Sequence, residues 1–223
     1  SLKEVKSLYG DKVALCGKNS SHWAIAFLST VSYCAVAVSI LDAFTPESIY
    51  ALVKHSDARI FMVGDVIWKN LKAEELNGVD AIICQNTLEL FYGKSADIKK
   101  AHDNWDKLFT AAYPNGFDPT QTTYDQDNWD ELAVINYTSG STGDPKGVML
   151  THRNISSNVT FGQDKIPNQA RWNVVSMLPL AHMFGLTFEF LYQLAGGCHV
   201  YFLNRTPSPQ VLLKALSEVH PYM

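Results

Sequence analysis

Between residues 10 and 84 short apolar runs alternate with amphipathic helical stretches, and this alternation constrains the fold more than any other feature. The Gly10-Asp11 turn leads into a strand over 12–16. Cap signals at 19–21 open a helix with Trp23, Phe27, Leu28 and Val31 on one face, and residues 35–40 read as a buried strand. Thr45 as N-cap, Pro46 at the first helical position and Glu47 start another helix through Ile49, Leu52 and Val53. A strand over 59–63, a helix over 65–76 and a strand over 80–84 follow. Leu2, Val5 and Leu8 fit the last turns of a preceding helix. Repeated strand–helix–strand units predict an α/β class, with layered, mostly parallel sheets flanked by helices on both faces.

The uncharged stretch over 23–41 has nearly the length of a membrane span. Its period changes from helical to extended part-way, and hydroxyl residues dilute it, so a soluble helix followed by a core strand fits better. With 47% hydrophobic and 18% charged residues the composition is globular, and a net charge of −4 offers no electrostatic case for nucleic acid. Cys16, Cys34, Cys84 and Cys198 are far apart and read as reduced, buried thiols of a cytoplasmic protein. The histidines lack metal-ligand spacing. Asn-x-Ser/Thr sequons begin at Asn19, Asn136, Asn154, Asn158 and Asn204; without a signal peptide they read as incidental.

The pattern loosens over 85–130. Residues 96–112 fit one amphipathic helix with Ile98, Ala101, Trp105, Leu108 and Phe109 on one side, and 113–130 is a polar surface connection. Asp125, Asp127, Asp130 and Glu131 read as a solvated approach to the next strand rather than a metal site. The expected division is therefore 1–112 as a first α/β portion, 113–130 as a connection, and 131–223 as a second α/β portion.

That second portion holds the chemistry. Thr138, Ser139, Ser141 and Thr142 crowd around Gly140 and Gly143, and Lys146 follows. Glycines and small residues let successive N–H groups turn into one concavity, the hydroxyls add donors, and the lysine adds a mobile charge. This is a phosphate-handling loop. It is not a Walker A loop, because Pro145 stands at the second glycine position and Gly147 follows the lysine. Its flanks are strands, over 133–138 and 148–150, and Thr151 then caps a helix from His152 that Ile155 and Val159 can seat. A strand over 172–177 exits into Leu-Pro-Leu-Ala-His-Met-Phe-Gly, where His182 lies between a proline and a glycine. At a strand exit that histidine suits either an active-site crevice or a structural role. Phe188, Phe190, Leu191 and Leu194 continue as an apolar helix. Gly196-Gly197 turns into a strand over 198–203, and Ser208-Pro209 opens a last helix ending near Val219.

In residues 138–147 the chain resembles the adenylate-forming, AMP-binding enzymes, which include acyl-CoA synthetases, luciferases and peptide-synthetase adenylation domains. The resemblance extends over essentially the whole chain, and implies part of the large N-terminal domain of an acyl-CoA synthetase-like fold. It implies acid activation through acyl-AMP and thioester formation with coenzyme A, using ATP and Mg²⁺. Thr138, Ser139, Gly140, Ser141, Thr142, Gly143 and Lys146 would hold the phosphates, with Thr138 on the metal. Lys146 and His182 would be catalytic, His182 beside the carboxylate. Similar enzymes carry a Tyr-Gly-x-Thr-Glu segment, a ribose-binding aspartate and a catalytic lysine on a C-terminal domain. None follows here, so the chain is expected to be the N-terminal part of a larger ligase, inactive alone. Residues 178–203 are most similar to bacterial long-chain fatty-acid–CoA ligases. Adenylation of a short-chain, aryl or amino acid remains open, as does a non-catalytic nucleotide-binding module. The expected partners are small molecules, with no membrane span and room for peripheral membrane contact.

Overall fold

The computed structural model describes residues 10–121, 129–138 and 146–222. Within them a seven-stranded sheet runs in the order β5-β4-β3-β1-β2-β6-β7. Its parallel centre is β1 (Lys12–Cys16), β2 (Val36–Ile40), β3 (Ala58–Val63), β4 (Ala81–Cys84) and β6 (Leu132–Thr138). The edges, β5 (Leu90–Gly93) and β7 (Lys146–Thr151), are antiparallel to their neighbours. The expected mostly parallel α/β sheet is thus present, and β6 and β7 extend it from beyond the 113–130 connection. A second sheet pairs β8 (Asn173–Ser176) in parallel with β9 (His199–Phe202).

Period-two alternation in the central strands sorts side chains onto two cores. Ala14, Cys16, Val38 and Ile135 point to one face, against Ile49, Leu52 and Val53 of α2 (Pro46–His55). Val13, Leu15, Ala37 and Val134 point to the other, against Trp23 and Phe27 of α1 (Ser21–Ser32) and against Leu180, Leu186 and Phe190. The segment containing His182 therefore docks on the α1 face. Both helices begin as the sequence dictates: Ser20 accepts from Trp23 N, and Thr45 accepts from Ser48 N ahead of Pro46.

Three local expectations are corrected. The helix expected over 65–76 is only α3 (Asp65–Trp68), followed by a 3₁₀ turn over Ala73–Glu75. Leu71 and Leu76 are both buried in the α2-side core, yet residues five apart point about 140° apart on a straight helix. The chain must bend for both to reach it. The helix expected over 96–112 is two, α4 (Ala96–Asp103) and α5 (Trp105–Ala112). Asn104 interrupts it, its side chain donating to the Lys100 carbonyl at 2.8 Å in competition with the helical ladder. Trp105, Leu108 and Phe109 are consequently exposed at 55%, 56% and 52%, where one buried stripe was expected. Strand β5 went unread in the 85–130 stretch; it is a four-residue edge strand whose Phe91 stacks on Trp68 at 5.1 Å.

None of the four cysteines forms a disulfide, and Cys16, Cys84 and Cys198 are buried; Cys34 is only half-buried, in a left-handed turn with φ 60°. No described helix is long and apolar enough to cross a membrane. No described cluster of His, Cys, Asp and Glu has the makings of a metal site, and Asp130 instead pairs with Arg153. The expected helix at residues 2–8 lies outside the described residues, as do Asp125 and Asp127.

Candidate active site

Strands β6 and β7 bring the two ends of the glycine–hydroxyl stretch together, with Thr138 directly opposite Lys146. Opposed residues of an antiparallel pair project from the same face, so a hydroxyl and an ammonium group lie side by side there. Both residues are exposed, and Lys146 makes no ion pair among the described residues. One residue inward the geometry inverts. Tyr137 faces the other core, 4% exposed, and its hydroxyl meets His55 Nδ1 at 2.7 Å. Burial, and secondarily the charge of Asp57, push its pKa up, so the phenol stays neutral. Gly147 opposite it keeps that contact loose: a Cβ there would lie 3.2 Å from the Tyr137 ring and 3.1 Å from Ile135, so both side chains would have to give way. The Lys-Gly pair thus presents a cation on one face and leaves room for a tyrosine on the other.

His182 sits in a turn after β8 that is held from several sides. The His182 N–H donates to the Pro179 carbonyl at 2.9 Å, and Leu186 N–H returns to the His182 carbonyl at 2.9 Å. Glu189, on a π-helix spanning Gly185–Leu191, accepts on Oε2 from Met177 N at 2.7 Å, Leu178 N at 2.8 Å and the Ser176 hydroxyl at 3.2 Å. Asn136 Nδ2 donates to the Ala181 carbonyl at 2.6 Å. Asn19 bonds both Leu178 and Leu180. The imidazole itself is exposed, and its Nδ1 accepts from Phe184 N–H at 3.3 Å, which assigns the neutral ring's proton to Nε2.

A cavity of about 390 Å³ unites these parts. Its polar lining includes Thr138, Asn136 and His182, with Asn154, Asn158 and Thr187. Val148, Leu150, Ile155, Met183, Phe184 and Phe188 form apolar walls, and the last two rings meet at 5.0 Å between centroids. Helix α6 (His152–Lys165) supplies one wall; Thr151 caps it in a reciprocal box with Asn154, so its start is set where β7 ends. The cavity thus sets the Thr138 hydroxyl and the His182 imidazole beside an apolar wall, with Lys146 across the strand pair from Thr138.

The AMP-binding enzyme family matches residues 2–223. The chain belongs to that family. Among relatives, an acyl-CoA ligase of Aspergillus fumigatus is 23% identical over 94% of this chain and 36% of its own length. The long-chain-fatty-acid–CoA ligase of Bacillus subtilis is 24% identical over 95% of this chain and 40% of its own. Long-chain-fatty-acid–CoA ligase 5 of Rattus norvegicus is 27% identical over 77% and 26%. The chain thus spans between about a quarter and two-fifths of these AMP-binding relatives. Solved structures share the fold. An anthranilate CoA ligase in complex with anthranoyl-AMP superposes with a TM-score of 0.78 at 19% identity, over 99% of this chain and 40% of that one. The N-terminal domain of FACL13 from Mycobacterium tuberculosis gives 0.70 at 21% identity, over 97% and 50%.

Of the residues singled out in the sequence, Thr138 and His182 share the cavity and Lys146 adjoins Thr138 across the strand pair. Ser139, Gly140, Ser141, Thr142 and Gly143 lie outside the described residues. The sequence reading passed over three side chains that hold the His182 turn: Asn19 and Asn136, noted only in caps and sequons, and Glu189. Asn136 carried a usable signal. A carboxamide inside the run Ala-Val-Ile-Asn-Tyr of a buried strand must find a partner, and it finds Ala181.

Proposed function

We propose that this AMP-binding chain carries the phosphate side and the acid side of an adenylation site in an ATP-dependent acid–thiol ligase, with a long-chain fatty acid as the acid and coenzyme A as the thiol. The observation that carries the reading is the cavity shared by Thr138 and His182, with Lys146 beside Thr138. A carboxylate cannot acylate a thiol directly, because its leaving group would be oxide. Attack of one carboxylate oxygen on the α-phosphorus of ATP forms the acyl–phosphate bond, breaks the α–β bridge and releases pyrophosphate. Lys146, Thr138 and the hydroxyl-rich stretch between them oppose the charge that moves onto pyrophosphate. His182 orients the carboxylate for in-line attack. Thr138 offers one neutral oxygen that would hold a hydrated Mg²⁺, and the ion would supply neutralisation of phosphate charge. The thiol then displaces AMP.

The apolar walls from Val148 to Phe188 favour an acyl chain over a charged side chain, and relatives named for long-chain fatty acids support that class. The remaining contacts are assigned to chain beyond these 223 residues, since the relatives are much longer. The test is acid-dependent exchange of labelled pyrophosphate into ATP by the full-length protein, with long-chain, short-chain, aryl and amino acids. Long-chain acids should support it best, Lys146→Ala should lose roughly 2–4 kcal/mol of transition-state stabilisation, about 30- to 10³-fold in rate, and residues 1–223 alone should show none. Undiminished exchange by folded Lys146→Ala removes the lysine from this role. Preference for aryl or amino acids moves the acid class, and nucleotide binding without exchange for any acid favours the non-catalytic module.

A further inference from the structure

Asn19 lies just beyond the carboxyl end of β1, in the connection to α1, and is 8% exposed. Its carboxamide donates through Nδ2 to the Leu178 carbonyl at 2.7 Å and accepts on Oδ1 from the Leu180 N–H at 2.8 Å. The two bonds grip the bend after β8 at Leu178 and at Leu180. Pro179, between them, has no N–H to offer a competing register. Among the described residues no strand pairing joins the β8–β9 sheet to the seven-stranded sheet, so this clamp is a directional tie between the layers, across some 160 residues of sequence.

The clamp is separable from the helix start beside it. Ser20 is the N-cap of α1, and its hydroxyl accepts the Trp23 N–H at 3.1 Å. Asn19 bonds no group of its own helix among the described residues. Two residues past Leu180 is His182, and Ala181 between them is held by Asn136. We infer that Asn19 is a positioning residue for His182: it sets where the imidazole stands against the cavity, and through it the alignment of the acid. The inference rests on the proposed adenylation site.

The test compares Asn19→Ala and Asn19→Asp with Thr30→Val in the full-length protein carrying isotope-labelled histidine. Thr30 is buried in α1, and its hydroxyl donates to the Ala26 carbonyl at 2.7 Å and, among the described residues, bonds nothing in 178–182, so its replacement disturbs α1 alone. A misplacement of about 1 Å costs on the order of 10²-fold in rate. Asn19→Ala should therefore slow acid-dependent pyrophosphate exchange roughly 10- to 100-fold, with the KM for ATP within about twofold of wild type. The His182 ring resonances should shift, whereas Thr30→Val should change neither. Asn19→Asp keeps the volume and the acceptor but sets an oxygen against the Leu178 carbonyl; it should fall at least as far, and it carries the comparison if Asn19→Ala does not fold. Unmoved His182 resonances in a folded Asn19 variant, or losses no larger than those of Thr30→Val, overturn the inference while an impaired His182→Ala still upholds the site. Full adenylation by His182→Ala brings down the site reading itself, so the two failures are told apart.

Discussion

Replacing Gly185 by alanine tests how tightly the His182 turn is closed. Gly185 opens the π-helix, and a Cβ there would be driven into the Pro179 carbonyl oxygen and stand 3.1 Å from the Leu178 carbonyl oxygen. Neither oxygen is free to yield: Pro179 accepts from His182 N at 2.9 Å and Leu178 from Asn19 Nδ2 at 2.7 Å. Overpacking against backbone costs ~1–3 kcal/mol, and loss of the His182–Pro179 hydrogen bond adds about 1 kcal/mol. Alanine recovers ~0.5–1 kcal/mol over glycine through helix propensity. The balance is a destabilisation of about 2 kcal/mol, which for a chain of this length lowers Tm by roughly 4–8 °C. Thermal unfolding followed by circular dichroism reads it, with Gly78→Ala as control. No atom lies within 4 Å of a Cβ at Gly78 and its φ is not positive, so that variant should stay within about 0.5 kcal/mol of wild type. A Gly185→Ala protein as stable as wild type would show that the turn has slack and that His182 is not held as argued.

His182→Ala removes an exposed ring and should change stability by less than about 0.5 kcal/mol. It should slow adenylation of the acid ~10²-fold while sparing thioester formation from supplied acyl-AMP. Equal losses in both half-reactions, with a matching fall in Tm, would make the histidine structural. An ion chain at the amino ends of β1, β3 and β4 predicts an acid response. Arg59 pairs with Asp11 at 2.6 Å and Asp80 at 2.7 Å, and Lys94 joins Asp80 at 3.1 Å. Burial works against ionisation of Asp80, but the bonds from Arg59 and Lys94 outweigh it and hold its pKa below the ordinary carboxylate value. Its stabilisation is thus complete above about pH 4 and is lost as pH falls through that depressed value. Asp80→Asn should cost ~1 kcal/mol at neutral pH, discounted for the exposed cationic partners, and the gap to wild type should close in acid. A gap that persists at pH 2 in urea unfolding would refute the linkage.

Much of the architecture was legible in order along the chain. Strands β1, β2, β3, β4 and β6 carry compact β-branched or apolar runs, and Thr45-Pro46, Thr151 and Ser208-Pro209 each mark a helix start that the structure keeps. These signals are local, since capping bonds span three residues and strand patterning repeats every second one. Thr138, Lys146 and His182 were legible as residue types for the same reason. Illegible were the features set by what lies across space. The bend after Trp68 answers to a core that needs both Leu71 and Leu76, and the outward turn of Trp105, Leu108 and Phe109 follows from a break at Asn104. Likewise the chain alone shows a glycine- and hydroxyl-rich stretch and a histidine at a strand exit, some 40 residues apart. It takes the folded chain to show that Thr138 and His182 line one cavity and that Asn19, Asn136 and Glu189 hold the histidine's turn there. A hydrogen bond between residues 160 positions apart leaves no periodic trace in either segment; it exists because packing two sheets against α1 removes those polar groups from water and obliges them to find one another.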